Sequence, residues 1–164
     1  MDEIHEIAKR NFSELSGPPK ADDLDFSNGN KYDALIRGWT KYWNDVLKPK
    51  TPLDPNLVKA LIASESSFNA NPKVPASAKK DPPRGLMQVR DSSFKIMGDI
   101  CGELKNHLIN LDGEDPLDPN TNIAAGVRWL FRKKEMADSY LGREATWDEV
   151  VQEYKGILRL SVNT

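Results

Sequence analysis

The chain has 164 residues, of which 38% are hydrophobic and 29% charged, and a formal net charge of -2. That length suits one domain with a real core, the composition excludes a disordered or membrane-embedded chain, and the slight acidity gives no basis for a nucleic-acid partner. The single cysteine, Cys101, cannot form an internal disulfide and reads as a small buried hydrophobe, while His5 and His107 lack a second ligand at metal spacing, so neither metal nor organic cofactor is implied.

The first residues, MDEIHEIAKRNF, put acidic side chains where a signal peptide carries positive ones, and no apolar run approaches transmembrane length. Ile4, Ile7, Ala8 and Phe12 give residues 2–12 the apolar side of a short helix. Residues 16–30 are rich in Gly, Pro, Ser, Asn and Asp and read as a connector. Leu35, Trp39, Tyr42, Trp43 and Val46 then recur at helical spacing, which predicts a helix over 32–47 with its aromatic stripe in the core. Residues 1–50 form on this reading an N-terminal helical extension packed on a main domain of residues 51–164.

Pro49 and Pro52 break the chain before the next helix, which Asp54-Pro55 begins: aspartate caps free N–H groups, and proline at the first helical position loses no hydrogen bond. Val58, Leu61 and Ile62 are followed by Glu65 on the same face, at spacings of seven, four and three. Asn69, Asn71 and Pro72 end the helix within about a turn. Lost hydration and the negative end of the helix dipole both disfavour the charged form of Glu65, the property that a general acid needs. The plainer reading is a glutamate that reaches solvent or pairs with Lys79, Lys80 or Arg84.

Residues 69–84 form a long loop with four prolines, and such loops are commonly functional or mobile. Lys79, Lys80, Arg84 and Arg90 make a basic cluster, read as a solvated loop or as a contact to an anionic cell wall. Gly85 lets the backbone approach a ligand closely, and Gln88 brings an amide that both donates and accepts. Asp91 reads as the cap of a further helix. The acidic segment 106–116 does not follow calcium-loop spacing. Asp118-Pro119 repeats the helix-start chemistry, with Ile123, Val127, Leu130 and Phe131 as the buried face and Arg132, Lys133 and Lys134 as solvated surface. Gly126 within that helix costs about 1 kcal/mol relative to alanine and signals close helix packing. Thr146 and Glu149 have capping-box spacing, ahead of an apolar stripe through Trp147, Val150, Val151, Tyr154 and Leu158.

Three blocks in order carry a resemblance. Glu65-Ser66-Ser67-Phe68-Asn69 and Gly85-Leu86-Met87-Gln88-Val89 are similar to the paired signature of the soluble-type lytic transglycosylases, which share a fold with goose-type lysozyme. Leu117 to Gly126, LDPNTNIAAG, resembles the next block of that family, with one residue fewer between Leu and Asp. The resemblance spans about residues 57–158. It implies a mainly α, lysozyme-like (α+β) fold with the GLMQ segment in a small hairpin, and cleavage of the MurNAc–GlcNAc bond of peptidoglycan by Glu65. It also makes Ser66, Met87, Gln88, Asn122 and Tyr154 candidates for substrate contacts, with Gln88 preferred over Met87, whose own bulk reads as a core gap-filler. The family carries asparagine where this chain has Lys155.

A lytic transglycosylase needs one carboxyl group, which protonates the leaving oxygen and then takes the proton of the sugar's own C6 hydroxyl to close a 1,6-anhydro ring. A hydrolytic muramidase needs a second carboxylate, for which Asp81 and Asp91 are the candidates. The third reading is a wall-binding or assembly module that keeps the fold without the activity. Action at the cell wall without a Sec signal implies a specialised export route, a phage origin or a fragment of a larger protein. In the first two cases a delivery or immunity protein is the expected partner, and the chain itself is expected to be a monomer.

Overall fold

Aspartate followed by proline starts two helices here for the same local reason: the carboxylate caps N–H groups that have no helical partner, and the proline lacks the N–H that would go unpaired. Asp54 accepts from the backbone N–H of Asn56 at 2.9 Å, and Asp118 from that of Thr121 at 3.0 Å. The computed structural model describes residues 26–160 apart from Leu108, Asn110 and Asp112. Among these are α1 (Asp33–Leu47), α2 (Pro55–Ser66), β1 (Pro83–Arg84), β2 (Val89–Arg90), α3 (Asp91–Gly98), α4 (Pro119–Leu141) and α5 (Trp147–Tyr154), with 3-10 turns at Asn30–Tyr32, Ala76–Ala78 and Lys105–His107. The helix expected over 2–12, with His5, lies outside the described residues. The fold is mainly helical with one small antiparallel hairpin. No described helix is long and apolar enough to cross a membrane.

Two compact units divide at Val127 and Arg128, inside α4. In the first, the aromatic stripe of α1 is core, and each indole finds a polar partner on the N-terminal half of α4. Trp39 Nε1 donates to Asn120 Oδ1 at 2.8 Å and Trp43 Nε1 to the Ala124 carbonyl at 3.0 Å. Helix α2 packs on α1 and buries Val58, Leu61 and Ile62. It also buries Lys59, which the apolar pattern did not mark; its ammonium pairs with Asp33 of α1 at 2.8 Å and donates to Asn30 at 2.7 Å. A buried ammonium is tolerated because those oxygens replace its water. Residues 120–131 are buried all round, not along one stripe.

Several expectations need correction. Cys101 is exposed. Asp91 is the first residue of α3 rather than its cap; the preceding Arg90 caps with no side-chain bond, and Asp81, reaching from before β1, accepts from the Ser92 backbone N–H at 2.9 Å. Gly126 makes room not for another helix but for Met87: a Cβ there would lie 2.8 Å from the Met87 Cβ.

In the second unit, Phe131 meets Trp147 edge-on with ring centroids 5.2 Å apart. The basic run is more engaged than a solvated surface would be, since Arg132 pairs with Glu135 at 2.7 Å and Lys134 with Asp138 at 3.1 Å. The capping box forms, with the Glu149 carboxylate returning to the Thr146 N–H at 2.8 Å. Arg143 also grips that carboxylate, and its hydrogen bonds, followed by the Thr146 N–H, hold Glu149 down at about 2 from an ordinary 4.5. The unfolded chain therefore takes up this proton at a higher pH than the folded one, so the contribution is complete above about pH 4.5 and lost as pH falls towards 2. Glu149→Gln will accordingly lower the melting temperature at pH 7, and the difference from the parent chain will shrink below pH 4.5 and vanish near pH 2, as followed by circular dichroism.

Candidate active site

Glu65 occupies the last turn of α2 and is half-buried. The helix stops one residue later because Ser67 turns left-handed (φ 49°), and Phe68 does the same (φ 61°). Non-glycine residues avoid this region, so two in succession store strain that the surroundings must hold. The surroundings are visible: Phe68 is buried, stacked on Tyr32 at 6.4 Å and tilted against Phe26 at 5.2 Å. Gly29 lies so close that a Cβ would sit 2.6 Å from the Phe68 ring, and Asn28 donates to the Ser67 carbonyl at 2.9 Å. Residues 26–32 thus brace the chain reversal that follows Glu65.

The GLMQ residues are the four-residue turn of the hairpin, whose register pairs Pro83 with Arg90 and Arg84 with Val89. Gly85 (φ 68°) and Gln88 (φ 51°) are both left-handed. At Gly85 a side chain is excluded twice, by the backbone angle and by the Asn122 carboxamide that any Cβ would strike. Gln88 has no such exemption, and its strain is held by its own amide, which donates to the Gly85 carbonyl at 3.0 Å, alongside the backbone N–H at 3.2 Å. Among the described residues four non-glycine residues have positive φ, and three of them lie in the ESSFN and GLMQ segments. Strain concentrated in this way is a mark of a functional site, and no residue type in those segments announces it in the sequence.

Of the expected substrate contacts, two are moved beneath the site. Met87 and Asn122 are both 0% exposed. Met87 fills the space that Gly126 leaves open. The Asn122 carboxamide accepts from the Met87 N–H at 2.8 Å and donates to the Arg84 and Pro116 carbonyls, each at 2.9 Å. Ser66 is half-buried, and its hydroxyl donates to the Leu86 carbonyl at 2.8 Å, tying the end of the Glu65 helix to the turn. Gln88, half-buried, remains a group that can meet a ligand. Tyr154 ends α5 in the second unit and is half-buried, with the exposed Lys155 as the helix C-cap.

Asp81 and Asp91 are engaged with other partners. The Ser92 hydroxyl bonds Asp81 at 2.7 Å, and this bond, then the Ser92 N–H, holds the Asp81 carboxyl below its usual range, which keeps it charged but makes it a weaker base. Asp91 receives Arg84 through Nε at 3.1 Å and Nη2 at 3.3 Å. Both carboxylates line one cavity, together with Thr121 and Lys95, and Glu65 is not among its lining residues.

If the Asn122 carboxamide holds the turn, Asn122→Ala will strand the Met87 N–H and two carbonyls and cost about 3 kcal/mol or more in urea unfolding. Ser66→Ala removes the hydroxyl that donates to the Leu86 carbonyl at 2.8 Å and, within its own helix, to the Ile62 carbonyl at 3.2 Å, and will cost about 1 kcal/mol. Its larger effect will be on turnover, because the tie between the Glu65 helix and the turn is gone.

No solved structure matches the chain at a significant level. A family model described as the transglycosylase SLT domain matches residues 43–156. That span takes in α2 with Glu65, the GLMQ hairpin and α4 with Asn122, and on it the chain belongs to the transglycosylase SLT domain family.

Proposed function

We propose that this chain cleaves the MurNAc–GlcNAc β-1,4 bond of peptidoglycan as a lytic transglycosylase, with Glu65 as its single acid and base. Family membership supports peptidoglycan as the substrate. In the first step the Glu65 carboxyl gives its proton to the glycosidic oxygen as the C1–O bond breaks. In the second, the carboxylate takes the proton of the C6 hydroxyl while O6 bonds to C1, which closes the 1,6-anhydro ring with no water consumed. Gln88 is the residue we assign to holding the sugar.

The observation that carries this over hydrolysis is the engagement of the two candidate second carboxylates. Asp81 is bound by Ser92 through both hydroxyl and N–H, and Asp91 by Arg84 through two guanidinium nitrogens. A hydrolase would need one of them free to activate water opposite the acid. The tie from Ser66 to Leu86 supports the same site by fixing Glu65 against the GLMQ turn. We place the activity at the cell wall, with a delivery or immunity protein as the partner class and the monomer as the acting form.

Mass spectrometry of fragments released from purified peptidoglycan tests the reading. The parent chain will release ends of 1,6-anhydro-MurNAc, and Glu65→Gln will release none at a detectable rate. Reducing-end MurNAc would mean that water is the nucleophile and would return Asp81 and Asp91 to the site. Binding without fragments would favour a wall-binding module.

A further inference from the structure

The end of the hairpin opposite the GLMQ turn opens on a cavity of about 530 Å³, a volume within the roughly 300–1,000 Å³ of small-ligand sites. Its walls come from residues just before β1, the first turns of α3 and the segment leading into α4. The charges that line it are not equally available. Asp81 and Asp91 are satisfied by Ser92 and Arg84. Lys80 and Lys95 are exposed; among the described residues no hydrogen bond holds either, and Lys95 acts on Asp81 through its charge alone. Glu114, which accepts only a long 3.3 Å bond from Thr121 in the same lining, supplies a carboxylate. Phe94, Leu111 and Pro116 give the remaining wall its apolar character.

A neutral glycan gains little from two ammonium groups beside an apolar wall; it is held by planar hydrogen-bonding groups and aromatic faces. A short peptide with free carboxylates, an amine and small methyl side chains matches every component. Carboxylates meet Lys80 and Lys95, the amine meets Glu114, and the methyl groups meet Phe94, Leu111 and Pro116. We infer that this cavity takes the peptide stem carried by the sugar that reaches Glu65. A short path of chain joins the two places: Ser66, next to Glu65, donates to the Leu86 carbonyl at 2.8 Å, and Asp81 of the lining is four residues from Gly85, at most about 14 Å of extended chain. The inference rests on peptidoglycan as the substrate and adds that the enzyme reads its peptide as well as its sugars.

The test is calorimetric titration with the free stem tetrapeptide, L-alanyl-γ-D-glutamyl-meso-diaminopimelyl-D-alanine. The parent chain will bind it, and Lys80→Ala combined with Lys95→Ala will weaken binding by about tenfold or more. Lys79→Ala, which removes an exposed charge outside the lining, will leave affinity within about twofold. On glycan strands stripped of peptide the double variant will cleave as fast as the parent, and on intact peptidoglycan more slowly. No binding by the parent chain, or equal binding by parent and double variant, would overturn the inference. Because titration reads the peptide directly, lysine-dependent binding by a chain that releases no fragments would retire the cleavage reading and keep the stem site.

Discussion

Buried between α4 and the hairpin, the Asn122 carboxamide meets three backbone groups that would otherwise lie in the interior without partners: the N–H of Met87 and the carbonyls of Arg84 and Pro116. A two-residue-per-strand hairpin has too few ladder bonds to hold a turn with two left-handed residues by itself. The carboxamide substitutes for the missing ladder. It also explains the two glycines in contact with this arrangement. Gly85 is bare because Asn122 comes so close, and Gly126, one helical turn beyond Asn122, is bare because the Met87 side chain passes over it.

The turn in turn fixes the end of α2. Ser66 donates to Leu86, so the residue after Glu65 is bonded to the middle of the GLMQ segment. From the other side, the Ser67–Phe68 reversal is braced by Asn28, Gly29, Phe26 and Tyr32. Glu65 thus sits between two strained segments, each held by buried contacts. Support of that kind fixes where the end of a side chain lies.

Charge is distributed around the hairpin with the same economy. Arg84 and Asp91 close its open end, Asp81 caps α3 from a distance, and Arg90 donates to the Asp81 carbonyl at 2.7 Å. The acidic residues flanking the GLMQ segment, which in the sequence look available for chemistry, are in this way absorbed by the local architecture. Lys80 and Lys95 keep their ammonium groups exposed in the cavity lining, and their position beside an apolar wall is the basis for assigning the cavity to a charged peptide.

What the sequence determined by itself was local and periodic. Aspartate before proline, a Thr-x-x-Glu box and apolar spacing act within a turn or two of chain, so the starts of α2, α4 and α5 and the core role of Trp39 and Trp43 were legible. The three blocks of residues identified the family. Only the tertiary structure decided what the other residues of those blocks do. Hydrogen bonding by Asn122 and burial of Met87 depend on partners 35 and 39 residues away, and no local pattern encodes such a distance. Lys59 escaped detection because its oxygen partners lie on another helix and the turn before it. Asp81 took the capping expected of Asp91 because the hairpin brings it beside Ser92, eleven residues on, a neighbour that a reading along the chain keeps apart.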